Sequence, residues 1–278
     1  MVSELRGNDP GTDSRVGWTV VMNPQSGGET ASQGSAAASW QQGSWPPLAG
    51  GVPRQPGTHR RSRVESRWPK VADQLFLASH DSFGEPEVHV DVVGLGLGGA
   101  LIAELMLAGR VTAEHGMLMV VHTTAPSDVL ANAVLARVRA EQPLSVGTWI
   151  AALALDAVTD VSGRLSAAGK ISVERRRPLR TLGLTRETRY VPIDRVSPTS
   201  VPAARIADTI RRGEYLHVVD AVLAGLMVAM GLHREVLDTW DPGIEQHVRY
   251  QVAQLVPADV RDLIDRTEAA VGAGVIAR

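Results

Sequence analysis

From Pro69 to the C-terminus, apolar residues recur at helical spacing in one segment after another, and this repeated period limits the chain to a mainly helical fold. Val71, Leu75 and Leu77 mark a short amphipathic segment before a turn at His80-Asp81. A helix is expected from Ala100 to Ala108 with Gly109 as its stop, and another from about Ser127 to Arg139 behind Pro126. The next, Val146 to Ala168, should bury Trp149, Ile150, Leu153 and Leu165 and end at Gly169. The last third reads as helices over Pro202 to Arg212, Glu214 to Met230, Ile244 to Leu255 and Pro257 to Val271. A short strand is expected at Met117 to Val121. The period changes again after Gly169: Ile171 to Glu174 alternates, and a matching run, Thr188 to Ile193, returns after Leu182-Gly183-Leu184-Thr185, which is the pattern of a β-hairpin.

Residues 1–66 differ in kind. They are rich in Gly, Ser, Pro and Gln, with Trp40 and Trp45 scattered among them, and offer too little periodic apolar surface to offset chain entropy. The expectation is a disordered arm followed by a compact helical domain over 67–278 with a protruding β-hairpin. The junction is basic, with Arg54, Arg60, Arg61, Arg63, Arg67 and Lys70 opposed only by Glu65. Such a run reads either as a solvated linker or as a polybasic patch that adds attraction to an anionic membrane.

Composition removes several classes of function. The chain contains no cysteine, which excludes disulfides, thiolate metal sites and cysteine nucleophiles. A formal net charge of -2 is unlike that of a general nucleic-acid binder, so any basic site must be local. The longest apolar stretch, Leu216 to Leu232, carries His217 and Asp220 and falls short of the ~20 clean residues of a membrane span, so it reads as a core helix. The first residues lack the apolar block of a secretory signal. The expectation is a cytoplasmic protein, peripheral on the inner face of the membrane.

Gly94-Leu95-Gly96-Leu97-Gly98-Gly99 has the GxGxxG spelling and follows the β-branched run Val88 to Val93, as a dinucleotide fingerprint would. The acidic partner expected about 20 residues on is missing, since the next strand runs into His122-Thr123-Thr124. Two other readings stand beside it. The glycines form a tight lead into a helix and allow close packing, or the amides of Gly98, Gly99 and Ala100 at a helix N-terminus hold an anion such as a lipid phosphate. The eight histidines are dispersed, and there is no nucleophile elbow or P-loop. Asp220 reads as a hydrogen-bonded core aspartate ahead of a catalytic one. No catalytic residue, metal or cofactor is nominated.

The hairpin concentrates charge. It carries Arg175, Arg176, Arg177, Arg180, Arg186 and Arg189 against Glu174 and Glu187, with Leu182 and Leu184 at its tip. Arginines beside an anionic leaflet contribute about 1 kcal/mol each, and inserted leucines add to that. The opposing reading pairs the arginines with the two glutamates on a solvated face and packs the leucines onto the protein's own core.

The segment Gly96 to Arg110 resembles the signature helix of the Golgi phosphoprotein 3 (GPP34) family. Val71 to Asp81 is similar to that family's opening helix and turn. Ala125-Pro126 with Asp128-Val129-Leu130, Gln142-Pro143, Trp149-Ile150 and Ala221 to Leu237 continue the resemblance in order, over roughly Ser66 to Arg278. The actinobacterial members are the nearer likeness. The resemblance implies a helical domain with a protruding hairpin and peripheral association with the cytosolic membrane face. In eukaryotic members it implies phosphatidylinositol 4-phosphate binding at the Golgi, sorting of glycosyltransferases and contact with vesicle coats. The eukaryotic lipid pocket uses a tryptophan and three arginines, and the matching positions here are His89, Gly98, Leu155 and Val158. All four depart, so simple anionic lipids are the expected ligands, held by the hairpin arginines with His89, Gly98 and Gly99.

Three alternatives follow from the same residues. The hairpin would serve as the wing of a nucleic-acid-binding domain, although no nucleic acid is expected at this net charge. The glycine string would serve a dinucleotide-dependent enzyme. In an adaptor, the hairpin would pair with a second copy of the chain and the arm would recruit protein cargo.

Overall fold

Residues 70–141, 143–176, 187–193, 201–235 and 242–276 are described by the computed structural model. Helices dominate: α1 (Val71–Ala78), α2 (Val90–Leu107), α3 (Val129–Ala140), α4 (Val146–Ala167), α5 (Val201–Arg211), α6 (Val218–Ala229), α7 (Leu232–Glu235), α8 (Pro242–Leu255) and α9 (Ala258–Ile276). Two antiparallel strand pairs interrupt them, β1 (Val111–Glu114) with β2 (Met117–Val120) and β3 (Ile171–Arg176) with β4 (Glu187–Pro192). The mainly helical reading holds, and so does the hairpin expected from Ile171 to Ile193, in which Ile171 pairs with Pro192.

Local chemistry sets the ends of these elements. The Asp128 carboxylate accepts the Ala131 amide at 2.8 Å to start α3, and Ser145 Oγ accepts the Thr148 amide at 3.1 Å to start α4. α2 and α4 close with glycine in the left-handed region, Gly109 at φ 67 and Gly169 at φ 68. The following amides, Arg110 and Lys170, then reach back to the carbonyls of Leu105 and Leu165 at 2.8 and 3.0 Å.

α2 is the centre of the fold, packed against α1, α4, α6 and α9. Being apolar all round, it has no face to offer water, and burial on every side is the stable solution. Its 18 residues are long and apolar enough to cross a membrane, but 72% of them are buried within the protein. α6 is likewise buried from Ala221 to Met230, as the apolar stretch Leu216 to Leu232 predicts. Trp149, Ile150, Leu153 and Leu165 of α4 are all in the core, also as predicted.

The structure corrects the reading around the glycine string. Val88 to Val93 is not a strand, because α2 already begins at Val90 and the glycines lie in its interior. A methyl group at Gly94 would sit 2.8 Å from the carbonyl oxygen of Ala154, and one at Gly98 would sit 2.7 Å from that of Ile150. At Gly99 it would meet Thr267 Oγ1 of α9 at 2.5 Å, and at Gly96 it would overlap the Met230 side chain. The string is therefore the point where α4, α6 and α9 close onto α2. The valines were misread because β-branched propensity is weak against tertiary packing. β1 and α7 were missed outright; β1 turns into β2 through His115 and Gly116, both at positive φ, a tight two-residue connection.

Candidate functional site

The described hairpin stem carries three of the candidate lipid-binding residues, Arg175, Arg176 and Arg189, and its root is built from α1 and the loop that follows. Gly169 ends α4 and turns the chain directly into β3, whose first residue, Ile171, is buried. The Ile193 amide donates to Lys170 O at 3.0 Å and closes the base. From β4, Tyr190 packs edge-on against both Phe76 and His80, with ring centroids 5.2 and 5.4 Å away, while Phe76 and His80 stack at 4.2 Å. The Tyr190 amide donates to Gly84 O at 3.1 Å, so the loop after α1 also covers the outer edge of β4. Gly84 sits at φ 80, and a side chain there would lie 2.5 Å from the Tyr190 backbone, so both its conformation and its contact require glycine.

His80 is buried at this root. Its Nδ1 lies 2.8 Å from the Phe76 carbonyl, which can only accept, so Nδ1 carries the proton. Burial lowers its pKa below the usual imidazole value, with the Phe76 carbonyl and Asp81 acting in the opposite sense.

The stem carries both signs of charge. In the register, Glu174 lies opposite Arg189, Arg175 opposite Thr188 and Arg176 opposite Glu187. Arg189 is ion-paired with Glu85 of the loop. Arg177, Arg180 and Arg186 lie outside the described residues, as do Leu182 and Leu184.

The remaining candidates are dispersed. His89 is exposed and caps α2, its Nδ1 accepting the Asp91 amide at 3.2 Å. Gly98 and Gly99 are buried in the interior of α2, with their amides inside the helix, so the anion site expected at Gly98, Gly99 and Ala100 does not form. The dinucleotide reading loses its basis for the same reason, since the fingerprint needs the glycines in a turn between strand and helix. Leu155 on α4 is 83% exposed, and Val158 is half-buried against the core. Asp220 is hydrogen-bonded, its Oδ1 2.5 Å from Arg205 Nη2, which also donates to Gln74 Oε1 at 2.8 Å.

Sequence reasoning missed an ionic cluster beneath this surface. Arg164 of α4 donates through Nε to Asp73 Oδ1 at 2.7 Å, through both Nη atoms to the two oxygens of Glu104 at 3.1 Å, and through Nη1 to Asp128 Oδ1 at 3.2 Å. Glu104 also accepts the Ala72 amide at 3.0 Å, and Lys170 lies 4.0 Å from Asp73. The cluster ties α1, α2 and the cap of α3 to α4. Burial raises the pKa of Asp73 and Glu104, with Arg164 partly offsetting it. Burial works to lower the pKa of Arg164, but the carboxylates outweigh it and hold the guanidinium charged.

Asp73, Glu104 and Asp128 belong to three separate sequence blocks, Val71 to Asp81, Gly96 to Arg110 and Asp128-Val129-Leu130, and they meet on one arginine. Two of them are acidic residues on predominantly apolar helices, which was the available signal. No curated protein matches the chain. The family model described as Golgi phosphoprotein 3 matches residues 71–267, which takes in α1, the glycine-bearing α2, the hairpin and most of α9; the chain belongs to the Golgi phosphoprotein 3 (GPP34) family.

Proposed function

We propose that the protein is a peripheral membrane-binding protein that engages anionic phospholipid headgroups through its hairpin, and that it acts by binding instead of by catalysis. One observation carries this reading: six arginines against two glutamates on a single hairpin of a chain whose net charge is -2. A stem rooted on buried aromatic residues would hold those cations ready for lipid at low ordering cost.

The magnitudes suit reversible attachment. Each arginine near an anionic leaflet is worth about 1 kcal/mol, and each leucine taken into the interface at most ~1.5–3 kcal/mol. Their sum after ordering costs resembles that of a single-chain lipid anchor, not of a membrane span. Family membership supports the reading, since GPP34 proteins are associated with phosphoinositide binding. Selectivity for a phosphorylated inositol is a different matter. The four matching pocket positions, His89, Gly98, Leu155 and Val158, supply no guanidinium for a bidentate grip, so the reading is of anionic phospholipid in general.

Co-sedimentation with vesicles tests it. The full chain should pellet with phosphatidylcholine–phosphatidylglycerol vesicles and stay in solution with phosphatidylcholine alone. Changing Arg175, Arg176 and Arg177 together to Glu should abolish pelleting. Equal binding to both vesicle types, or no effect of the reversal, overturns the proposal. Retardation of random duplex DNA at moderate salt, with no vesicle binding, would assign the arginines to a nucleic-acid wing instead.

A further inference from the structure

The loop between α1 and α2 is restrained far more than a connection requires. Asp81 Oδ1 accepts the amides of Phe83 and Glu85, both at 2.8 Å. The Asp81 amide donates to Glu85 O at 2.8 Å, the Gly84 amide to Asp81 O at 3.1 Å, and the Glu87 amide to Ser79 O at 2.9 Å. Gly84 is pressed against the Tyr190 backbone, and Glu85 is paired with Arg189. Held at the tip of this turn is Phe83, with 70% of its surface exposed.

None of those restraints uses the phenyl ring. The turn is made by the Asp81 carboxylate and by glycine, and it would close equally well with a polar residue at position 83. A large aromatic ring held in water on a rigid support costs free energy unless something covers it. Its neighbours indicate what does. The loop lies against the hairpin strand that carries Arg189, and Val173, opposite Tyr190 in the register, is exposed as well. The loop's own acidity is partly compensated, because one Asp81 oxygen is taken by two amides and Glu85 by Arg189. Glu87 lies at the loop's far end beside Ser79.

We propose that Phe83 is a second membrane anchor, a preset aromatic wedge that enters the interfacial region of an anionic bilayer when the hairpin arginines meet lipid phosphate. This rests on the membrane reading above and adds an insertion point outside the hairpin. Because the wedge is already rigid, its insertion adds apolar burial without a further ordering cost.

The cysteine-free chain allows a direct test. Phe83→Cys carries an environment-sensitive nitrobenzoxadiazole label, and Ala269→Cys on the exposed side of α9 carries the same label as control. With phosphatidylcholine–phosphatidylglycerol vesicles, the label at position 83 should shift to the blue and be quenched by lipids spin-labelled near the headgroup, while the control stays unchanged. Unlabelled Phe83→Ala should bind these vesicles about ten-fold more weakly at an unchanged thermal midpoint, and Phe83→Leu should recover most of the loss. If wild type binds while the label at 83 stays in water, or if Phe83→Ala binds as wild type does, the anchor is wrong and the hairpin reading survives. If wild type binds no vesicles, both fall.

Discussion

The guanidinium of Arg164 grips both carboxylate oxygens of Glu104, Nη1 to Oε2 and Nη2 to Oε1, each at 3.1 Å, where the two side chains are only 12% and 6% exposed. A forked pair of this kind joins α2 to α4 with fixed geometry, and Asp73 and Asp128 complete it from α1 and from the start of α3.

Arg164→Met should therefore destabilise the domain by about 3–5 kcal/mol, because it leaves three carboxylates facing one another in a site with little water. Asp73→Asn should cost less, since the cluster holds more acids than bases and Glu104 keeps its fork. The pH response separates the two. In wild type, Asp73 and Glu104 have raised pKa values in the folded state, so each stabilises more as pH falls toward the ordinary carboxylate range, and that contribution is lost as pH rises through the folded value. Without Arg164 the carboxyl pKa values rise further, so the deficit of Arg164→Met should shrink on acidification. Urea denaturation at a series of pH values measures this, and a deficit that grows toward acid would contradict it.

The glycines of α2 make an independent prediction. Gly98→Ala forces a methyl group to within 2.7 Å of Ile150 O, a backbone atom that cannot step aside without moving α4, and should cost about 1–3 kcal/mol. Gly163→Ala, on the exposed side of α4 with nothing within 4 Å, should instead stabilise by roughly 0.5–1 kcal/mol. Chemical denaturation of the two variants should give shifts of opposite sign.

These same glycines show what was legible in the sequence. Their role in close packing was readable, but their place was not: Val88, Val90, Val92 and Val93 carry a strand's propensity, and nothing local reveals that α4 and α9 claim the helix they belong to. Ends set by short-range chemistry, such as the stops at Gly109 and Gly169, came out within a residue or so. The ionic cluster was hidden because Asp73, Glu104, Asp128 and Arg164 are far apart in the chain and nothing local shows that they meet. Glu85 was hidden in the same way. The arginine count named the hairpin, but only the fold shows that a loop carboxylate already holds Arg189.

That carboxylate bears on the hairpin's affinity. Glu85 occupies Arg189 as a lipid phosphate would, so Glu85→Gln should loosen that hold and remove one repelling charge, tightening binding to anionic vesicles several-fold, about 1 kcal/mol. The pair is partly exposed, at 24% and 48%, so its loss should change stability by less than ~1 kcal/mol. In the Glu85→Gln background, Arg189→Ala should reverse the gain. Vesicle titrations at fixed salt measure all three proteins, and an unchanged affinity in Glu85→Gln would mean that Arg189 does not face lipid.

His80 sets the pH response of the hairpin root. Buried as the neutral form, with its pKa depressed below the ordinary 6.5, it is uncharged in folded and unfolded chains alike above that value and adds no pH dependence there. Below about pH 6.5 the unfolded chain takes up a proton that the folded chain refuses, so stability falls by as much as ~1.4 kcal/mol per pH unit until the folded value is reached. The buried acids act oppositely: their gain sets in at their raised folded values and is complete only at the ordinary 3.8 of Asp73 and 4.5 of Glu104, and wild type and a His80 variant share it. His80→Phe removes the titrating group and keeps a ring to stack on Phe76, so the difference between wild type and variant isolates the imidazole. Wild type should lose stability relative to His80→Phe as pH is lowered through 6.5, and Tyr190, whose ring meets His80 edge-on, should report the loosening in its ring resonances before the domain unfolds. Parallel pH profiles for the two proteins would show that the root does not depend on a neutral His80.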